Sequence, residues 1–187
     1  MAPATILAWM WAALGIYWFV GAWSTKKTEV NETPGTRWLR LLIMCFVFVL
    51  LLTSRFRTGF LAFRFVPDTL WSRGIGYGLT VGGMALCVWA RLKLGEYWSD
   101  KVALKVEHRL IRKGPYARLR HPIYTGVLLA IAGTALAIGE WRGLVALAVM
   151  TVNYLIKARR EDRILASHFG EEFTAYKAQA GFLVPKL

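Results

Sequence analysis

Residues 122–156, PIYTGVLLAIAGTALAIGEWRGLVALAVMTVNYLI, are two apolar runs parted by one short polar break. The first run spans Pro122 to Gly139 and the second Gly143 to Ile156, with only Glu140, Trp141 and Arg142 between them. So short a connection forces two helices to lie antiparallel as neighbours. The residues just before Pro122 must then meet those just after Ile156. Gly126, Ala130 and Thr134 put small residues at four-residue spacing on one face, which fits a tight hairpin between these two helices. Pro122 suits a first helical turn, where its missing N–H costs nothing.

Upstream, three further apolar stretches run from Pro3 to Trp23, Trp38 to Thr53 and Ile75 to Leu94. A hydrocarbon core needs about 20 apolar residues in a helix, and the second and fifth stretches are the shortest for that task. With 56% of the 187 residues hydrophobic and 19% charged, the chain is too apolar for an ordinary soluble domain. The expected fold is all-α: a polytopic transmembrane helical bundle of five spans ending in a C-terminal helical hairpin. Residues 1–94 form an N-terminal three-span region, and residues 95–187 hold a loop, the hairpin and an amphipathic C-terminal helix. The opening stretch has no basic leader, no small-residue cleavage site and is too long for a signal core, so it is read as a retained span.

The net charge of +13 would suggest nucleic acid in a soluble protein. The positions of the basic residues decide otherwise. With the N-terminus outside, 19 Lys and Arg residues fall on the inner side and five on the outer, namely Arg55, Arg57, Arg64, Arg73 and Arg142. Cytoplasmic loops collect such charge when a bundle inserts. The expectation is a multi-pass protein with a cytoplasmic C-terminus, its cations facing anionic membrane lipids rather than nucleic acid. Cys45 and Cys87 lie inside the expected spans, where a small apolar side chain packs well, and neither is given chemistry.

Gly74, Gly78 and Gly82 repeat every four residues and predict a close-packing face on the third span. Trp23, Trp38, Trp71 and Trp141 stand at span ends, where an indole keeps its N–H in the headgroup layer. After Ile156, Ile164, Leu165, Phe169, Phe173 and Tyr176 recur at three- and four-residue intervals between charged residues. This stripe predicts a helix that continues past the bilayer and lies on its surface or caps the domain.

Chemistry concentrates in HRLIRKGPYARLRHPIYTG, residues 108–126. The N–H groups of the turn opened by Pro122 carry partial positive charge and suit a carboxylate. Lys157 and Glu161 lie four apart on one helical face beside that turn. By spacing alone they read first as an intrahelical ion pair in a basic juxtamembrane run. His121 alone reads as a satisfied polar group, and Tyr116 and Tyr124 as interfacial anchors, although an aromatic face also suits a sulfonium.

GPYARLRHPIYTG resembles the signature of the isoprenylcysteine carboxyl methyltransferase family: Gly-x-Tyr, Arg-His-Pro-x-Tyr-x-Gly, a hydrophobic stretch, then paired acids, here Glu161 and Asp162. HFGEEFTAYK, which follows them, also resembles the family. The resemblance covers His108 to Lys177 and is specific in order and spacing; the first three spans match only as hydrophobic helices. It implies a bacterial-type integral membrane enzyme of the inner membrane with a cytoplasmic pocket for S-adenosyl-L-methionine. The cofactor would be bound by His108, Arg109, Leu110, Ile111, Tyr116, His121, Pro122, Ile123, Tyr124 and Glu161. Arg120 and Lys157 would face a lipophilic or prenylated acceptor as the catalytic pair, with no metal and no obligate protein partner. Two positions depart from the family: Asp162 stands where Glu is usual, and Lys157 where Arg is usual. A lysine is a point charge rather than a bidentate fork.

A carboxylate acceptor is already deprotonated at pH 7 and needs no general base, which fits a sequence without a catalytic dyad. An amine acceptor would lose a proton, giving Glu161 or His121 another duty. The competing readings are a phospholipid or amine N-methyltransferase, an NADPH-dependent membrane enzyme like the sterol reductases, and a scaffolding protein that has lost its cofactor.

Overall fold

A computed structural model describes residues 3–22, 28–30, 34–95, 103–105 and 110–186. Six helices dominate it: α1 (Pro3–Ala22), α2 (Pro34–Leu52), α3 (Leu70–Leu94), α4 (Pro122–Ile138), α5 (Trp141–Phe169) and α6 (Glu171–Gln179). An all-α fold was expected; the addition is a short antiparallel ladder of β1 (Thr28–Val30) on β2 (Ala103–Lys105), with Thr28 opposite Lys105. Among the described residues, three helical stretches, Ala4–Gly21, Gly35–Leu52 and Leu70–Leu94, are long and apolar enough to cross a membrane, and α4 is a shorter apolar helix.

The α4–α5 hairpin is tighter than the sequence suggested. Only Gly139 and Glu140 separate the helices, because Gly139 adopts a left-handed φ of 71° that reverses the chain in one step. α5 then runs 29 residues without a break, well past Ile156. Its start is locked to α2 by Arg142, whose side chain is buried. The guanidinium donates to Glu140 at 2.7 Å and to the carbonyls of Leu50, Leu51 and Thr53 at 2.8, 3.1 and 2.6 Å. These carbonyls lie at the C-terminus of α2, where helical partners run out. Arg57 bonds the other oxygen of Glu140 at 2.9 Å, and the loop before α3 pairs with the turn through Phe65 N–H to Gly139 O and Trp141 N–H to Phe63 O.

The interior is built by Leu7 and Trp11 of α1, Val47, Leu50 and Leu51 of α2, Ile131 and Ile138 of α4, and Ala146, Met150 and Tyr154 of α5. The Trp11 indole N–H donates to Thr134 at 3.1 Å. Large apolar side chains point outward as well: Trp9, Phe19, Trp38, Leu42 and Trp71, the last 81% exposed. So much outward apolar surface suits a lipid solvent rather than water. Trp38 and Trp71 are exposed near helix starts. Trp141 packs on Phe60 and Phe65 instead, and Trp23 lies outside the described residues.

α3 and α4 touch through glycine, but not through the glycines expected. A side chain added at Gly74, Gly78 or Gly82 would meet nothing within 4 Å. The contact face is Gly76, Thr80, Gly83 and Cys87, against Gly126, Ala130, Gly133 and Ala137, so the Gly126, Ala130 and Thr134 ladder expected to serve the hairpin packs on α3 instead. Any Cβ at Gly76 or Gly83 would collide with the α4 backbone. A Thr69–Ser72 capping box starts α3, with reciprocal 3.1 Å bonds.

Candidate active site at the open end of the α4–α5 hairpin

The two chain segments expected to meet do meet. His121 is the residue before α4, and Glu161 and Asp162 sit on α5 beyond Ile156. His121 Nε2 lies 2.8 Å from Asp162 Oδ1, and its Nδ1 lies 3.5 Å from Glu161 Oε2. The Tyr124 hydroxyl donates to Glu161 Oε1 at 2.6 Å, and Lys157 Nζ lies 3.9 Å from the same oxygen. Arg120 Nε donates to Asp162 Oδ2 at 3.2 Å. The paired acids therefore divide the work: Asp162 holds Arg120 and His121, while Glu161 faces Tyr124, His121 and Lys157.

The aromatic rings form a pile. His121 stacks on Tyr124 (5.4 Å, 6°), and Tyr124 on Tyr154 (4.6 Å, 11°). Lys157 Nζ stands 5.2 Å from the centre of the Tyr124 ring. Tyr154 was missed in the sequence, although its spacing three before Lys157 and seven before Glu161 puts it on their helical face.

Burial alone would drive the His121 imidazole towards neutrality, but the bonds and charges of Asp162 and Glu161 outweigh it and raise its pKa. Burial would likewise raise Glu161 and Asp162. For Glu161 the His121 bond and the Lys157 charge prevail, and for Asp162 His121 and Arg120 do, so both carboxyls end lowered. Burial pushes Tyr116 strongly up, with Glu161 adding to it, and pushes Tyr176 to about 12.

The other expected positions sort themselves around this cluster. Tyr116 is buried in the Gly114–Ala117 turn beside it; its carbonyl accepts from the Tyr176 hydroxyl at 2.7 Å. Gly114, at a φ of 62°, brings this turn so close to Lys93 that a side chain there would clash. Pro122 occupies the first turn of α4, and the Ile123 carbonyl accepts from Cys87 Sγ at 3.4 Å. Leu110 joins the apolar cluster of Phe173, Tyr176, Ala180, Leu165 and Phe169, leaving the acids to other residues. Ile111 is half-buried beside it, and His108 and Arg109 lie outside the described residues. The apolar stripe after Ile156 breaks at Gly170 into α5 and α6 and caps the motif loop, the second of the two expected outcomes.

One element escaped the sequence reading. The chain after α6 returns to the motif: Arg120 N–H bonds Gly181 O at 2.8 Å, Gly181 N–H bonds Arg118 O at 2.9 Å, and Thr125 Oγ1 donates to Leu183 O at 2.9 Å. Phe182 meets His121 edge-on at 5.2 Å and lies under the Arg120 guanidinium at 5.3 Å. The apolar run Phe182, Leu183, Val184 in a polar stretch was its signal.

The residues present fit S-adenosylmethionine. The Glu161 side chain is 21% exposed, and its carboxylate has lone pairs beyond those used by Tyr124, as an ammonium partner requires. The pile of His121, Tyr124 and Tyr154 gives the site an aromatic wall beside that carboxylate. Among the described residues no cluster of three or more His, Cys, Asp or Glu side chains is disposed to hold a metal ion.

The phospholipid methyltransferase family model matches residues 71–172. Methanethiol S-methyltransferase of a Pseudomonas species is 27% identical over 64% of this chain and 48% of its own length. Protein-S-isoprenylcysteine O-methyltransferase of Schizosaccharomyces pombe is 26% identical over 51% and 42%. The chain thus spans about half the length of the curated relatives it matches. A solved eukaryotic intramembrane Ras methyltransferase, isoprenylcysteine carboxyl methyltransferase, superposes with a TM-score of 0.53 at 23% identity, covering 83% of this chain and 54% of that one, a likeness of fold. With α3, the motif loop, the hairpin and the paired acids all inside the matched segment, the chain belongs to the phospholipid methyltransferase family of membrane methyltransferases and is isoprenylcysteine-methyltransferase-like in fold.

Proposed function

We propose that the protein is an S-adenosylmethionine-dependent methyltransferase of a lipophilic acceptor, and that the reaction is carboxyl O-methylation of an isoprenylcysteine-like lipid. The observation that carries this reading is the convergence of Glu161, Tyr124 and His121 at one end of the hairpin. Glu161 is the partner for the cofactor's ammonium, with Tyr116, His121 and Tyr124 around it. When bound, the cofactor supplies a methyl activated on a sulfonium. Arg120 and Lys157 orient the acceptor carboxylate, which needs only alignment and exclusion of water.

A groove of about 460 Å³ between α2 and α5 supports a lipid acceptor. Leu39, Ile43, Val149 and Val152 make it apolar, and Arg40 and Lys157 stand at its site end. Lys157 belongs to groove and site alike. From Ala148 to Lys157 the groove follows α5 for roughly 14 Å at helical rise, close to one leaflet of a ~30 Å hydrocarbon core. In this reading α4 and the first part of α5 complete five spans, residues 1–94 are the scaffold and 95–187 the catalytic region. The N-terminus lies outside and the site faces the cytoplasm of a bacterial inner membrane.

His121 favours a carboxylate over an amine acceptor. Its two ring nitrogens face Asp162 and Glu161, so neither is turned to an amine that must lose a proton, whereas a carboxylate needs no base. The test is incubation of purified protein with methyl-labelled S-adenosylmethionine and prenylcysteines, fatty acids or phosphatidylethanolamine. Label in a base-labile ester of the prenylcysteine is expected. Label on phosphatidylethanolamine alone would make it an N-methyltransferase, and failure to bind the cofactor, or binding of NADPH instead, would remove the methyltransferase reading.

A further inference from the structure

Arg120 is the proposed acceptor ligand, yet two of its donors are already committed, Nε to Asp162 at 3.2 Å and NH1 to the Ala180 carbonyl at 2.6 Å. A guanidinium is a rigid planar fork with five donors, so fixing two bonds and the plane fixes the direction of the remainder. The two bonds come from α5 and from the chain after α6. The plane is set by a third contact, the Phe182 ring 5.3 Å below the guanidinium carbon.

Phe182 is held in place by an unusual amount of backbone bonding for a segment without regular structure. Residues 118–120 and 181 form a parallel bridge, Lys186 N–H reaches the Arg118 carbonyl at 3.3 Å, and Lys186 Nζ reaches the Ala178 carbonyl. Gly181 permits the fold-back, since a Cβ there would collide with the backbone of Val184 and Lys186. The strap thus delivers one aromatic ring to two side chains of the site at once, the Arg120 guanidinium on its face and the His121 imidazole against its edge.

We propose that Phe182 is a positioning residue for acceptor binding: the strap after α6 seats its ring against Arg120 and so aims the free guanidinium donors at the acceptor carboxylate. This rests on the role proposed above for Arg120. Phe182 gives its face to Arg120 and only an edge to His121, which Asp162 holds independently at 2.8 Å, so its effect falls on the acceptor more than on the cofactor.

The experiment compares wild-type protein with Phe182→Ala, Phe182→Leu and Phe182→Tyr, reading acceptor KM, kcat and calorimetric affinity for S-adenosylhomocysteine. The leucine variant keeps apolar volume if the alanine variant fails to fold. Loss of the cation–π face should raise acceptor KM about tenfold in the alanine and leucine variants, with cofactor affinity held within about twofold. Phe182→Tyr, which keeps the ring, should restore wild-type KM. Wild-type KM in Phe182→Leu, or equal losses of acceptor and cofactor binding, overturns the inference. If the wild type itself transfers no methyl group to any lipid acid, it is the carboxyl methyltransferase reading that falls.

Discussion

His121 and Asp162 are 41 positions apart in sequence and 2.8 Å apart in space, the imidazole Nε2 against the carboxylate Oδ1. Asp162 also holds Arg120, so one carboxylate ties the turn before α4 to the far part of α5. Asp162→Ala would leave Arg120 and His121 without it, and their own side chains are only 9% and 5% exposed. The expected cost is about 3 kcal/mol, seen as a melting temperature lower by roughly 5–10 °C in detergent. Asp162→Asn should lose less, since it still accepts one bond. An alanine variant that melts like the wild type would mean the contact is incidental.

The same cluster sets a pH dependence. His121 is raised above its ordinary 6.5, so its stabilising contribution is complete below that value and is lost as pH rises through the folded-state pKa. Glu161 and Asp162 are lowered from 4.5 and 3.8, so theirs is complete above those values and is lost on acidification through the folded-state pKa values. Stability from the cluster is therefore greatest between about 4.5 and 6.5. The melting temperature of the wild type relative to His121→Gln, followed from pH 5 upward, should converge as the medium becomes alkaline. A constant difference would contradict the assignment.

Glu161→Ala should weaken binding of S-adenosylhomocysteine by about tenfold or more, because a desolvated ammonium would lose its counter-charge. Glu161→Gln, which can still accept the Tyr124 bond, should fall between. Calorimetry in detergent decides, and unchanged affinity would place the ammonium elsewhere.

Gly83→Val should cost about 1–3 kcal/mol by forcing α3 off α4, whereas Gly82→Val, one residue along, meets open space. Yield and melting temperature of the two variants should separate clearly. Equal tolerance would mean that the α3–α4 contact has slack.

This last pair marks where the sequence stopped being readable. The hairpin and the meeting of His121 with Glu161 follow from a short connection, which is a covalent constraint. The rotational phase of α3 has no comparable signal, because lipid is as apolar as the protein interior and both faces accept the same side chains. Gly74, Gly78 and Gly82 make the more regular ladder, yet Gly76 and Gly83 make the contact. That Arg142, counted among the five outer charges, is 5% exposed and shared between Glu140 and carbonyls at the end of α2 is likewise invisible in its position along the chain. Phe182 reaches the site through a nonlocal parallel bridge with no periodic pattern to announce it.

The Arg142 knot has a mechanical effect on the groove. It rivets α2 to α5 at the Leu50 and Thr53 end, while Leu39, Arg40 and Lys157 line the cleft nearer the other end. The two helices thus resemble a pair of tweezers pinned at one end by these bonds, with the groove towards the tips. If the acceptor is the lipid proposed above, its tail enters at that end, beside Arg40 and Lys157.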